Sequence, residues 1–468
     1  MRRSRDCHRA TLLAGVVALI AIAAPLSARQ VVVGPDLIVG DVSEVLRWGT
    51  INGVTGYSLG STACNVGTQF VSWDRHSSAH PVIAQSIYRL KTVDGATRFE
   101  QLGISWLKHG FQAANGNLCG TCSSGSGQVL SPGCSDPYSA GLNGSQSLMG
   151  PRSEVNPYTG VFPYPYIIGA QQIGNATFKR IPVPASELDP AQHPGAQFVG
   201  EVMYVTSDDA AAGNALNNAS WRRMVVLTMQ DGGWNLGMAG TTRQRRTAIQ
   251  AWVELDFRVS FQFVDVPGEG RFVVGYRVHE VGDGTWDYEY AVQNYNSHRG
   301  ARSLQIPFGP DVTLSQIGFH DVDYHSGEPQ DGTDWAVSTG GGLSWSTASF
   351  DAQPNANALH WGTTYNFRFR ADRPPVDGEI QLGLFRPGPP GAHQSITFVG
   401  PRPQSTVTPT CPGDANADGR CDGADLSVML FTFGNTVPPG SGADFNDDGV
   451  VNGADLSELL SQFGLVCW

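Results

Sequence analysis

Val274-Gly-Tyr276-Arg-Val278-His-Glu-Val-Gly282-Asp-Gly284-Thr-Trp286-Asp-Tyr288-Glu-Tyr290-Ala-Val292 is the stretch whose reading decides the fold class. Large apolar residues take every second position before Gly282-Asp-Gly284 and again after it. A strand with one dry and one wet face needs that period of two, and the glycines permit a sharp reversal, so the segment reads as an antiparallel hairpin. The same alternation over 252–263 predicts another strand, with Val253, Leu255, Phe257, Val259, Phe261 and Phe263 set against Glu254, Asp256, Arg258, Ser260 and Gln262. Further strands are expected at 303–308, 312–319, 343–347, 364–370, 379–385 and 395–399. Only 209–222 and 240–251 suit short helices, so the crossover helices of a parallel sheet are missing. The expectation is a mostly β chain in which residues 196–400 form an antiparallel β-sandwich or jelly roll.

Composition supports that reading. The 468 residues are 41% apolar and 15% charged, which excludes a charge-rich disordered chain and a coiled coil. Gly (57) and Pro (29) exceed average usage without a collagen period, as many turns between short strands require. Arg2, Arg3, Arg5 and Arg9, an apolar run from Leu12 to Ala24 and a small-residue end near Ala28 predict a secretory signal peptide at 1–28 and a secreted product. No stretch is long and apolar enough for a membrane span. Removing 1–28, with four Arg and one Asp, takes the formal charge from −12 to −15. With only Lys91, Lys108 and Lys179 and no basic stripe, nucleic acid is excluded as an expected partner.

The acid is concentrated. Residues 411–468 carry nine Asp or Glu and one Arg, a density that calls for counter-cations. Two units repeat there at a spacing of 30 residues. The first places Asp414, Asn416, Asp418, Arg420, Asp422 and Asp425 at loop positions 1, 3, 5, 7, 9 and 12, with Gly419 at position 6. The second places Asp444, Asn446, Asp448, Val450, Asn452 and Asp455 likewise, with Gly449 at position 6. Oxygen side chains at 1, 3, 5, 9 and 12, a carbonyl at 7 and a turn-making glycine match the ligand spacing of an EF-hand-type calcium loop, so two Ca2+ ions are expected. After each loop, Leu426, Met429, Leu430 and Phe433, then Leu456, Leu459, Leu460 and Phe463, mark one face of a short helix ending at Gly434 or Gly464. The two faces are expected to pack together.

Loop, single helix, linker, loop, single helix, with Asp at position 12, resembles a type I dockerin over residues 411–468. Pro-Gly before Asp414, and Pro-Pro-Gly-Ser-Gly between the units, leave no place for the leading helices of paired EF-hands. The resemblance implies a calcium-folded module that docks onto a cohesin-like or cell-surface partner, often to attach polysaccharide-degrading enzymes. Positions 10 and 11, commonly hydroxyl residues in cohesin readers, are Gly423-Ala424 and Gly453-Ala454 here. Cys411 and Cys467 stand at the module's ends; a bridge between them would staple a core too small to be stable alone, and would add roughly 4 kcal/mol. Cys421 is then left as a free thiol, an intermolecular partner or a half-buried thiol of no consequence.

Residues 401–410 read as an extended Pro/Thr linker. Residues 29–195 read as a β- and loop-rich region with Cys64, Cys119, Cys122 and Cys134. Disulfides are the default in an exported chain, with three pairings open, although Cys119-Gly-Thr-Cys122 also has redox or zinc spacing. The densest polar cluster of the body runs from His320 to Asp334 and holds seven titratable groups. Three readings compete: a calcium-stabilised loop through Glu328, Asp331 and Asp334; a plain polar turn; or a catalytic or transition-metal site drawn from Asp321, Asp323, His325 and Glu328. A weaker constellation joins Trp73-Asp74-Arg75-His76 and His80 with Lys108-His109, a three-histidine site or ordinary histidines. Trp234, Trp286, Trp335, Trp345 and Trp361 are either a sugar-stacking platform or core. No Gly-x-Ser-x-Gly elbow, His-Glu-x-x-His or phosphate loop is found. The leading expectation is a secreted calcium-binding modular protein attached through its C-terminal module, acting in polysaccharide binding or breakdown. The alternatives are an extracellular glycoside hydrolase or lyase, or a metal-dependent enzyme using the 320–334 cluster.

Overall fold

The computed structural model describes residues 32–122, 125–166, 171–405, 413–416 and 420–464. The expected signal peptide at 1–28, residues 406–410 of the expected linker, Asp418, Cys411 and Cys467 lie outside the described residues, while residues 401–403 of the expected 401–410 linker close the strand Ser395–Pro403. The chain is mostly β, and its sheets are antiparallel.

The hairpin forms as its alternation predicts. Arg271–Glu280 pairs with Trp286–Asn294, placing Val274 opposite Val292, Tyr276 opposite Tyr290 and Val278 opposite Tyr288. It is the middle of a five-stranded sheet ordered Ser260–Asp265, Arg271–Glu280, Trp286–Asn294, Thr364–Ala371, Leu314–His320. A second five-stranded sheet, ordered Ala336–Ser338, Leu343–Ser346, Ala301–Ile306, Pro375–Leu384, Ser395–Pro403, faces it. Between them Phe272, Val274, Tyr290, Leu304, Trp345, Phe367, Ile380 and Leu382 form one core.

A second pair of sheets precedes this one. Leu37–Ile51 and Val54–Asn65, flanked by Ile181–Pro184 and Ser135–Tyr138, pack on a seven-stranded sheet. Its main path runs Gly233–Arg243, Ala219–Gln230, Gln197–Val205, Val82–Val93, Leu107–His109, Met149–Gly150. Leu37, Val39, Tyr57, Leu59, Ile83, Ile87, Val202 and Met224 fill the space between. Gln197–Val205 hydrogen-bonds along its whole length with Val82–Val93, so the division expected between 195 and 196 runs through a continuous sheet.

The predicted strand at 252–263 is half helix. Ala248–Leu255 is α-helical, the chain turns at Asp256, and only Ser260–Asp265 is extended. Thr247 and Gln250 form a capping box that satisfies the first amides of the helix, and this start signal outweighs the accidental alternation behind it. Phe257, apparently an inward strand position, is 91% exposed. Of the two expected helices, 240–251 meets Ala248–Leu255 only over 248–251 and 209–222 meets Ser207–Ala211 only over 209–211; Ala219–Gln230 and Gly233–Arg243 are strands.

The helix is the wedge between the two sandwiches. Its Ile249 and Trp252 pack with Val82, Tyr88, Leu90, Val199 and Trp221 of the first sandwich and with Val273 and Ala291 of the second. A Cβ on Gly275 would stand 2.8 Å from Ile249 Cγ2 and 3.1 Å from the Trp252 ring, so the strand reaches the helix only because residue 275 is glycine. Trp335, Trp345 and Trp361 are core residues, and Trp234 and Trp286 are partly buried, so these five do not make a surface platform. The disulfides are Cys64–Cys119 and Cys122–Cys134; each cysteine of the Cys-Gly-Thr-Cys stretch is spent on a different bridge. Among the described residues no helix is long and apolar enough to cross a membrane.

Two loop–helix units close the described chain, with helices Gly423–Thr432 and Gly453–Ser461. Met429, Leu459, Cys421, Val451 and Ala443 are buried between them. The units exchange backbone bonds symmetrically. Gly434, after the first helix, donates its N–H to the Val451 carbonyl of the second loop (2.8 Å); Gly464, after the second, donates to the Cys421 carbonyl of the first (2.7 Å). Arg420 pairs with Glu379, and Gln381 Nε2 donates to the Gly464 carbonyl (3.2 Å), which ties the units to the second sandwich.

Candidate functional site

The second loop is fully described. Asp455 is buried at the start of its helix; Oδ1 accepts the amides of Phe445 (2.9 Å) and Asn446 (3.2 Å), and Oδ2 that of Asn452 (2.9 Å). Asp444, also buried, accepts from Gly440 (3.1 Å), Asp448 (3.2 Å) and Gly449 (2.9 Å). The Asn446 side-chain oxygen takes the Asp448 amide at 3.0 Å, and Asp448 takes the Val450 amide at 2.8 Å. These bonds fold the loop inward and bring three carboxylates, two amide side chains and the position-7 carbonyl into one turn. Gly449, at φ +81°, makes the bend that position 6 needs. In the first loop Asp425 repeats the Asp455 arrangement, accepting from Asn416 (3.2 Å) and Asp422 (2.8 Å).

The donor set fits calcium. All donors are hard oxygens, and among the described residues no basic side chain forms an ion pair with Asp425, Asp444, Asp448 or Asp455. In the second loop, Asp444, Asn446, Asp448, Asn452 and Asp455 would hold the ion with the Val450 carbonyl. In the first, Asp414, Asn416, Asp422, Asp425 and the Arg420 carbonyl are the equivalents. Among the described residues no three His, Cys, Asp or Glu side chains come together as a metal group. Cys421 stands at position 8, where the second loop has Val451, and is equally buried; its thiol donates to the Leu459 carbonyl at 3.3 Å. Burial pushes its pKa up to about 11, so it is a core thiol.

The 320–334 stretch is a clasp between the sandwiches. His320 Nε2 reaches the Gln101 carbonyl (3.0 Å) and His325 Nε2 the Ile104 carbonyl (2.7 Å), both in the first sandwich. A carbonyl only accepts, so Nε2 of His325 carries the proton and Nδ1 accepts from Ser326 Oγ at 2.8 Å. Ser326 in turn accepts the Lys179 amide at 2.7 Å. Burial pushes the His325 pKa down to about 4. The Glu328 carboxylate caps the amides of Arg152 and Ser153. Asp321 holds the Asn357 amide, Asp331 holds Gln353, and Asp323 and Asp334 are exposed. The cluster does not converge: His325 and Glu328, its best-placed acid–base groups, are occupied by main chain.

Of the other constellation, His80 and His109 meet and His76 does not join them. His80 Nδ1 donates to the Asp74 carbonyl (3.0 Å) and its Nε2 faces His109 Nδ1 at 2.9 Å, with Tyr166 stacked on His109 at 3.5 Å. Burial lowers both imidazole pKa values. His76 lies on the exposed turn beside Arg75. Trp73 is core, and Lys108 Nζ is held by the carbonyls of Ser145 and Ser147.

The convergence that the sequence did not announce is at the seam itself, where Arg152, Ser153, Tyr324, Gln330, His298, His360, Trp361 and Arg386 line a hollow. Its basic residues come from stretches up to about 230 positions apart, and no local motif marks them. No protein-family model matches the chain, and no curated protein is significantly similar to it.

Proposed function

We propose that this is a secreted modular protein whose C-terminal repeat binds two Ca2+ ions and, so folded, attaches the β-rich body to a cohesin-like or cell-surface partner in polysaccharide binding or breakdown. The observation that carries the reading is the pair of interlocked loop–helix units with oxygen donors at six equivalent positions. The helices add a second support. Met429 and Leu459 are consumed in the small core, while Leu430, Phe431, Phe433, Leu460 and Phe463 remain exposed on a module of two short helices. Apolar side chains clustered on so small a surface suit a protein partner. The two disulfides and the N-terminal signal pattern agree with export. The polysaccharide link rests on the company dockerin-like modules keep.

Calorimetric titration of the full chain with CaCl2 tests the metal, with two ions bound and none in excess chelator expected. Pulldown on cohesin-type proteins with and without EDTA tests the partner. Absent or calcium-independent capture refutes attachment by this route.

A further inference from the structure

The hollow at the seam has an unbalanced lining. Arg386 enters it from the second sandwich, and among the described residues it forms no ion pair; its Nε is buried and lacks a hydrogen-bond partner. His298 and His360 flank it, and His360, 8% exposed, has only a long 3.4 Å contact to the Ala356 carbonyl. Gln330 Oε1 is buried there without a partner as well. Turning that amide over presents its N–H2 group instead, a donor where an unpaired acceptor stood. Arg152 closes the inner wall; its donors go to the carbonyls of Ser105 and Gln85, and its charge is opposed by Glu328.

The nearby acids act on Arg152 and Arg299, and among the described residues none forms an ion pair with Arg386. Glu328 spends its oxygens on the Arg152 and Ser153 amides, and Glu269 spends its own on the amides of His298 and Arg299 and the hydroxyl of Ser297. Burial lowers the pKa values of Arg386 and His298, and it pushes His360 down to about 3. Each buried group without a partner is costly, more so when charged, and several sharing one space call for a common partner. The hollow is narrow, about 320 Å³ including its mouth, with room inside for about one water-sized sphere. That excludes a sugar or a nucleotide and admits a single small species.

We propose that the seam hollow is a binding site for one small anion of halide size, held by Arg386, His298, His360 and the turned amide of Gln330, with Arg152 supplying field. Such an ion is held by the second sandwich against a wall formed by Arg152 and Ser153, which belong to the segment packed on the first.

The test uses the full chain at fixed calcium and ionic strength. Crystals soaked in sodium bromide should show one anomalous peak between Arg386 and His360. Melting temperature should rise saturably as chloride replaces gluconate, an anion too large to enter. Arg386→Gln and, separately, His360→Gln should abolish that saturable rise. A hollow holding water alone after the bromide soak overturns the proposal, whether or not the variants fold. So does a chloride-dependent rise of equal size in wild type and Arg386→Gln.

Discussion

His325 shows how a residue of catalytic type becomes a structural one. Its Nε2–H and Nδ1 are both matched only while the ring is neutral, and protonation would put a second N–H against Ser326, whose oxygen already takes the Lys179 amide. Its folded pKa, about 4, lies below the ordinary value of 6.5. The stability it contributes is therefore fully present above pH 6.5 and is lost as pH falls through about 4. Asp136 and Asp209 act oppositely: burial raises each to about 7, so their penalty is present above pH 7 and relieved on acidification. His325→Gln, which keeps polar contacts but does not titrate, should flatten the fall in melting temperature between pH 6.5 and 4 relative to wild type. A thermal-shift series across that range measures it. Gly275 offers a steric test at the same scale. Gly275→Ala places a methyl 2.8 Å from Ile249 Cγ2 and should cost ~1–3 kcal/mol by denaturant unfolding, while a smaller partner in Ile249→Ala should tolerate it better.

Among the elements, the loop-borne helices carry the sharpest expectation. Asp455 satisfies three backbone amides and stands at the last position of the proposed calcium loop, so Asp455→Ala should reduce calorimetric calcium stoichiometry from two to one and lower the melting temperature of the repeat. Asp425→Ala should do the same through the first loop. The loop–helix units were legible in the sequence because the glycines and apolar periodicity that shape them fall within short consecutive stretches. The hairpin at 271–294 was legible for a related reason, since its alternation is local and its turn is written in glycine. Val82–Val93 was not, because Ile83 and Ile87 enter the sandwich core while Val82, Ala84, Tyr88 and Leu90 pack on the wedge helix. A strand covered on both faces loses the alternation that announces it. The wedge helix was half legible: the expected helix at 240–251 reached its first turn, and the rest was hidden by apolar residues that kept a strand's period by chance.

At the scale of the whole molecule, the two sandwiches share the buried layer around Trp252 and the clasp at 320–334, whereas the C-terminal repeat meets the body at a few side chains. Heat should therefore melt the body as one unit and the repeat as another, and a chelator should lower only the second transition in a calorimetric scan. Glu328→Ala uncaps two amides at the seam and should destabilise the body by ~2–4 kcal/mol without changing calcium uptake, read by chemical denaturation and by titration respectively. The seam hollow was illegible for the reason the loops were legible: Arg152, His298, His360 and Arg386 become neighbours only after both sandwiches have formed and docked.

The reciprocal bonds of Gly434 with Val451 and of Gly464 with Cys421 also carry a lesson about ancestry and truncation. Neither half of the tail completes its own backbone; each is finished by its twin. A fragment bearing a single copy would have to borrow the missing half from another molecule, and so should assemble into a twofold pair.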